Sequence, residues 1–238
     1  MTDRPIPFSA PMVRALRRAV NPKTQTRRIV SAHNSTIDGT TFRGSLAWDQ
    51  LDWDRAEPRD TTLLGEFVAG KAGAPLDHHL RVPHKHEGSF HRVRPKWDVG
   101  DRLWAREAYR FGAEWDDTKP SEVVPSGLDG GDVYYEADGL MKNPADNGWG
   151  KLRPGMFMPR WASRITLELV SVRAERLQDI SEADAIAEGW EKQPERSADP
   201  IVHRDAARDW YADLWDSING PGSWAKNPYV WRLEFTRC

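Results

Sequence analysis

Lys23-Thr24-Gln25-Thr26-Arg27-Arg28-Ile29-Val30 is the stretch from which the fold is read. It follows Asn21-Pro22, and because the residue before a proline avoids the helical region, whatever precedes it stops there. The stretch itself reads as a strand, with Thr24, Thr26, Arg28 and Val30 on one face by the period of two. Thr26 and Arg28 therefore point the same way. Lys23, an odd step from Thr26, falls on the other face unless the turn after Pro22 breaks the alternation or the lysine reaches round the edge.

Upstream, Ser9 followed by Pro11 reads as the start of a short helix, since serine caps free amides and proline is tolerated in the first turn. Met12, Leu16 and Val20 recur at helical spacing, leaving Arg14, Arg17 and Arg18 largely on the other sides. Downstream, residues 31–95 are rich in Gly, Asp, His and Pro and show no sustained helical or strand period. They read as an insertion of short elements and loops within a single domain, 1–238. So long a stretch without structure is rare in a compact domain. Part of it is expected to pack on the body of the fold through Trp48, Leu51, Trp53, Leu63, Leu64 and Phe67.

Regularity returns at Val99-Gly100-Asp101, a turn into a strand over 102–111 with Leu103, Ala105, Tyr109 and Phe111 on one face. Glu107 interrupts that face. A carboxylate there is either paired, with Arg106 or another arginine, or functional. Residues 133–137 are strand-like, and 164–177 alternate well enough for a long strand, with a bulge where the phase shifts at Val170 and Val172. Residues 180–189 carry both punctuation marks of a short helix, Ser181 with Asp184 as a cap and Gly189 just past the end. Glu188 lies in its last turn, against the helix dipole, so it is held by an external cation, has a task, or simply faces solvent. Ala206, Trp210, Leu214 and Ile218 mark a third helix. The segment 229–236 is a strand in which Tyr229, Trp231, Leu233 and Phe235 alternate with Val230, Arg232 and Glu234. This order predicts an α+β fold, a small closed barrel decorated with short helices.

The formal net charge of −2 offers no blanket electrostatic grip on nucleic acid. The charge is uneven, however. Between Arg4 and Arg28 there are seven basic residues against the single neighbouring acid Asp3, while 49–60 is acidic. This marks either a local anion-binding surface, with Arg14, Arg17 and Arg18 as nucleic-acid-binding candidates, or a solvated face balanced elsewhere. The twelve tryptophans are able to stack bases, but scattered from Trp48 to Trp231 they read as core and rim packing. The only cysteine, Cys238, excludes an intrachain disulfide, and a cytoplasmic address is expected. No apolar run approaches the roughly 20 residues that span a bilayer, and the first twenty residues lack the apolar stretch of a signal peptide, so no membrane partner is expected. His78, His79, His84, His86 and His91 fall within fourteen residues, and His84-x-His86 has a chelating spacing. With no cysteine nearby and no repeated spacing, the cluster reads as a solvated or phosphate-facing loop. No metal or cofactor is expected.

The helix followed by Lys23-Thr24-Gln25-Thr26-Arg27-Arg28, the turn Val99-Gly100-Asp101-Arg102-Leu103-Trp104, the strand 164–177 running into 180–189, and the terminal strand together resemble the ASCH family, a branch of the PUA-like barrels. They cover roughly half the chain; the insertion 31–95 lies outside the minimal family pattern. Met158-Pro159-Arg160-Trp161-Ala162-Ser163-Arg164-Ile165 and Leu214-Trp215-Asp216-Ser217-Ile218-Asn219 look like the longer members from bacteriophages and prophages. Small bacterial members are N4-acetylcytidine amidohydrolases that use a Lys and a Thr from a K-x-x-T motif and a Glu on the helix after the long strand. Lys23 and Thr26 match the motif and Glu188 the Glu. Arg28 matches a basic residue two beyond the Thr, and Arg27 and Glu107 join it as substrate-binding candidates. Other members are reported as ribonucleases, and the family is expected to bind RNA, so the fold does not choose the reaction.

The resemblance implies a hydrolase that removes an acyl group from an N4-acylated cytidine or a related modified nucleoside or nucleotide. An RNA-binding module or metal-independent ribonuclease using the same cleft is the alternative. As nucleophile, Thr26 is inert until a base takes its proton. A free lysine titrates near about 10.4, so Lys23 serves only if burial or the field of Arg27 and Arg28 lowers that value, and Glu188 opposes the lowering. Two mechanisms stand: Lys23 as base with Glu188 orienting it, or Glu188 as base with charged Lys23 stabilising the oxyanion.

Overall fold

Short alternating runs broken by Pro, Gly and Asp give this chain many brief strands and few helices. The computed structural model describes residues 2–31, 35–37, 40–41, 51–61, 77–83, 85, 90–123, 133–139, 144–191 and 206–238. Within them lie β1 (Asp3–Pro7), α1 (Ala10–Leu16), β2 (Gln25–Ile29), β3 (Ser35–Ile37), β4 (Thr40–Thr41), β5 (Glu57–Thr61), β6 (Asp77–Pro83) and β7 (Phe90–Pro95). β8 (Arg102–Arg106), β9 (Tyr109–Arg110), β10 (Tyr134–Tyr135), β11 (Thr166–Arg176), α2 (Glu182–Ala187), α3 (Ala206–Asn219) and β12 (Tyr229–Arg237) complete the order. The fold is α+β. No helix among the described residues is long and apolar enough to cross a membrane.

The first sheet has the order β1-β8-β11-β12-β2, with β1 parallel to β8 and the other pairs antiparallel. The alternation read for the terminal strand sets its centre: Trp231, Leu233 and Phe235 are all buried, while Val230 faces the opposite side and packs on α2 and α3. The bulge expected near Val170 is present as a register shift between Leu169 and Ser171. The turn before β8 needs Gly100, whose φ of +87° is open to glycine at no steric cost. Asp101 then locks the turn by accepting from the Thr2 and Asp98 amides and Arg4 Nε.

Among the described residues this sheet is not a closed barrel, because β1 and β2 share no ladder. It does curl. Phe8, just past β1, meets Phe235 edge-on at 6.3 Å, and Arg28 Nη2 on β2 donates to the Pro7 carbonyl at 2.6 Å. A side chain spans the gap that backbone pairing leaves.

The insertion holds a second antiparallel sheet, β4-β3-β7-β6-β5, where the sequence pattern shows no sustained period. Its strands are short and charged, and among the described side chains Leu80, Val82 and Val93 are its fully buried aliphatic positions. With Leu51 and Ala56 these join Ile6, Leu103, Leu167 and Phe235 in one core, so the insertion does pack on the first sheet. Burying each large apolar side chain there contributes about 1.5–3 kcal/mol. Trp53 packs on this core as expected; Trp48, Leu63, Leu64 and Phe67 lie outside the described residues.

Four local expectations are corrected. Ser9 holds the N-cap position with extended dihedrals but its side chain makes no capping bond, and α1 stops a turn early, leaving Val20 exposed. The strand predicted over 102–111 breaks at Glu107. Ser163 Oγ donates to the Ala105 carbonyl where the 3-10 turn Arg160–Ala162 leads the neighbouring chain away, and Tyr109 starts a separate ribbon with β10. Similarly, the strand-like 133–137 shortens to β10 before the 3-10 turn Glu136–Asp138. Finally, α3 buries Ala207, Tyr211 and Trp215 instead of the stripe one residue earlier, and Ile218 is exposed. Both stripes repeat every four residues, so periodicity alone does not separate them.

Candidate active site

The segment entering β2 is pinned between two helices. Lys23 N donates to the Ala15 carbonyl of α1 at 3.0 Å, and Thr24 N to the Ala187 carbonyl of α2 at 2.8 Å. The helices come this close because residue 189 has no side chain: a Cβ on Gly189 would lie 2.8 Å from the Ala15 Cβ, and its φ of +111° disfavours any other residue. At the other end of α2 the expected capping box is formed, Ser181 accepting from the Asp184 amide and Asp184 accepting from Ser181. Glu188 is thus fixed at the C-cap, pointing inward.

Glu188 is held by cations, as its position against the dipole suggests. Its Oε2 accepts from Lys23 Nζ, and its Oε1 accepts from Arg27 Nη1 at 3.1 Å and from the Tyr211 hydroxyl at 3.4 Å. Lys23 Nζ also donates to the Glu188 backbone carbonyl at 2.8 Å. The Lys23 and Arg27 side chains are fully buried and the Glu188 side chain nearly so. Burial pushes the Lys23 ammonium below its ordinary range; Glu188 opposes this, while Arg28 and Arg27 add to it. Burial and the adjacent carboxylate push the Tyr211 phenol well up, which keeps it a donor to Glu188.

The period of two along β2 then divides the labour. Lys23, Gln25 and Arg27, on the odd positions, belong to the ion cluster. Arg27 Nε reaches Glu175 at 2.7 Å and its Nη2 lies 3.5 Å from Asp184, which in turn pairs with Arg232 at 3.1 Å. Burial pulls the Arg27 pKa down, but Glu188 and Glu175 outweigh it and hold the guanidinium above its usual value. The even positions, Thr26 and Arg28, face a cleft of about 450 Å³ whose lining also includes Arg27 and Glu188. That volume suits a small molecule. Phe8, Met12, Leu214 and Trp215 supply its apolar walls.

Thr26 is buried at this cleft, and among the described residues its hydroxyl has no hydrogen-bond partner. Arg28 likewise has no carboxylate partner there; burial lowers its pKa, and it sits 5.4 Å over the Phe8 ring. Lys23 does not line the cleft, so the odd-step concern from the sequence holds: the lysine backs the carboxylate and does not reach the threonine hydroxyl. In chemical terms the cleft is lined by a hydroxyl, a buried carboxylate charged from behind, and a guanidinium that among the described residues has no carboxylate partner.

The remaining candidates are placed elsewhere. Glu107 is paired with Arg164, which bonds both its oxygens at 2.9 and 3.0 Å; it lines no described cavity. The sequence expectation of an arginine partner was right in kind, and the partner is 57 residues away. Arg17 pairs with Asp138, which Arg164 also contacts at 2.7 Å, while Arg14 and Arg18 line a second cavity. His79 is buried on β6 and His91 lies on β7, and no metal-holding cluster appears among the described residues; His84 and His86 lie outside them. Tyr211, Glu175 and Asp184 were missed as site residues. A tyrosine in the four-spaced stripe Ala207, Tyr211, Trp215 was the available signal for the first; nothing in the sequence pairs Glu175 with Arg27. No family model matches this chain, and no curated protein or solved structure does either.

Proposed function

We propose that the protein is a hydrolase that removes an acyl group from an N4-acylated cytosine nucleoside or nucleotide, built on a curled, PUA-like sheet of the ASCH type. The observation that carries this reading is that the unpartnered Thr26 hydroxyl and the cation-backed Glu188 carboxylate line one cleft. The curled sheet, with the K-x-x-T segment entering its edge strand and Glu188 on the helix after its longest strand, supports the fold assignment.

Of the two mechanisms, the geometry favours Glu188 as base. Thr26 Oγ attacks the acyl carbonyl carbon as Glu188 takes its proton. Arg28 meets the oxyanion of the tetrahedral intermediate. The C–N4 bond then breaks, Glu188 returns the proton to the departing amine, and cytosine leaves with its free amino group. Water deprotonated by Glu188 hydrolyses the threonyl ester, releasing the carboxylic acid and restoring Thr26. Lys23 and Tyr211 hold the carboxylate in place throughout.

The test is chromatographic release of cytidine from N4-acylcytidines. Wild-type protein is expected to turn over, Thr26→Ser to retain activity, and Thr26→Ala to lose on the order of 10²-fold or more. Absence of cytidine release, or full activity in Thr26→Ala, refutes the proposal.

A further inference from the structure

On the far side of Glu188 lies a second cavity, of about 260 Å³. It shares Met12, Glu188 and Leu214 with the first, so the two are adjoining compartments with these three residues common to both walls. Its other walls differ in chemistry. Trp190 and Trp210 supply half-buried aromatic surface, and Arg14 and Arg18 supply positive charge. Consecutive residues of α3 divide between the compartments, Trp210 lining the second and Tyr211 the first.

The charges at the second compartment are available. Arg14 bonds only the Ala137 carbonyl, at 3.3 Å, and has no carboxylate partner among the described residues. Arg18 donates to the Gly189 carbonyl at 2.9 Å and pairs with Glu191 at 3.0 Å, but Glu191 is 66% exposed. An exposed pair of this kind is weak and readily exchanged for a stronger anion. Indole faces beside an exchangeable guanidinium match the chemistry of single-stranded nucleic acid, in which bases stack and the linking phosphate is paired.

We propose that the second compartment is a subsite for the neighbouring nucleotide, so that the ligand is a single-stranded oligonucleotide of at least two residues and not a free nucleoside. The inference rests on reading the first cleft as a base site. One base enters beside Thr26, its neighbour stacks on Trp190 or Trp210, and Arg14 and Arg18 take the phosphate between them. Glu191 competes with that phosphate for Arg18.

Calorimetric titration of the full chain with cytidine, cytidine monophosphate and a cytidine-containing dinucleoside monophosphate, each with and without an N4-acyl group, tests this. The dinucleotide should bind about tenfold or more tightly than the monophosphate. Trp210→Ala should remove most of that advantage while leaving monophosphate affinity unchanged, the exposed Arg14→Ala should weaken both phosphate-bearing ligands while leaving cytidine affinity unchanged, and Glu191→Gln should strengthen both. Arg14→Ala keeps the test decisive should Trp210→Ala fail to fold. Equal binding of mono- and dinucleotide, equal weakening of both by Trp210→Ala, weakening of cytidine by Arg14→Ala, or no binding of any of these ligands overturns the subsite. Dinucleotide preference without deacylation removes the hydrolase reading alone. Deacylation without dinucleotide preference removes only the subsite.

Discussion

Replacing Glu188 by Gln keeps the shape of the side chain and removes the charge at the centre of the cluster. The amide has one acceptor and one donor end, so it cannot face both Lys23 Nζ and Arg27 Nη1 favourably. Arg27 retains Glu175 and Asp184, which leaves Lys23 as the stranded charge, with only the backbone carbonyl of residue 188. Breaking a buried pair in this way costs about 3–5 kcal/mol. Lys23 has a route of escape, because burial already lowers its pKa and the loss of Glu188 removes the influence that opposed it. A lysine with a folded pKa below its unfolded value destabilises the fold at low pH, and that cost fades as pH rises through the folded pKa towards about 10.4. The variant's folded pKa lies lower than the wild type's. Between the two, the deficit of Glu188→Gln should therefore shrink by up to about 1.4 kcal/mol per pH unit, and above both it should stay constant. Urea unfolding of both proteins across neutral to alkaline pH measures this, with Glu188→Gln/Lys23→Met expected to regain most of the lost stability. A deficit under about 0.5 kcal/mol at neutral pH, or one that grows with pH, refutes the reasoning.

Two further outcomes are expected. Glu107→Gln should destabilise by about 2–4 kcal/mol, because it leaves Arg164 with a poorer partner in a buried pair, yet leave the cleft's ligand affinity unchanged; urea unfolding and calorimetry separate the two effects. Gly189→Ala should cost about 1–3 kcal/mol from overpacking against Ala15, with backbone strain adding to it, and should weaken ligand binding as well, since it forces α1 and α2 apart at the wall of both cavities.

Local chemistry carried much of this structure into the sequence. The alternation Tyr229, Trp231, Leu233, Phe235, the capping box at Ser181, the glycine turn at Gly100 and the bulge near Val170 are decided by neighbours within a few residues, and each was readable. Glu188 was readable for the opposite reason, as a residue set against its local preference. What stayed hidden were choices made by distant parts of the chain. Among the described side chains, the sheet of the insertion has three fully buried aliphatic positions, Leu80, Val82 and Val93, too few to show a period. The two stripes of α3 are equivalent until Glu188 and the cleft pick out Tyr211. Alternation also revealed that Lys23 and Thr26 face apart, but only the placement of α2 showed that the lysine serves the carboxylate.

The bonds from Lys23 and Arg27 to Glu188 join residues 165 and 161 apart in sequence. Contacts of such separation carry the entropy of closing a long loop and depend on the chain between them being ordered. Both partners must also shed water together, as neither ion is tolerable in the interior alone. The capped helix at Ser181 and the glycine turn at Gly100 are made by neighbours in sequence, whereas the carboxylate's surroundings are not. Ligand recognition here is a property of the assembled fold and of no single local element.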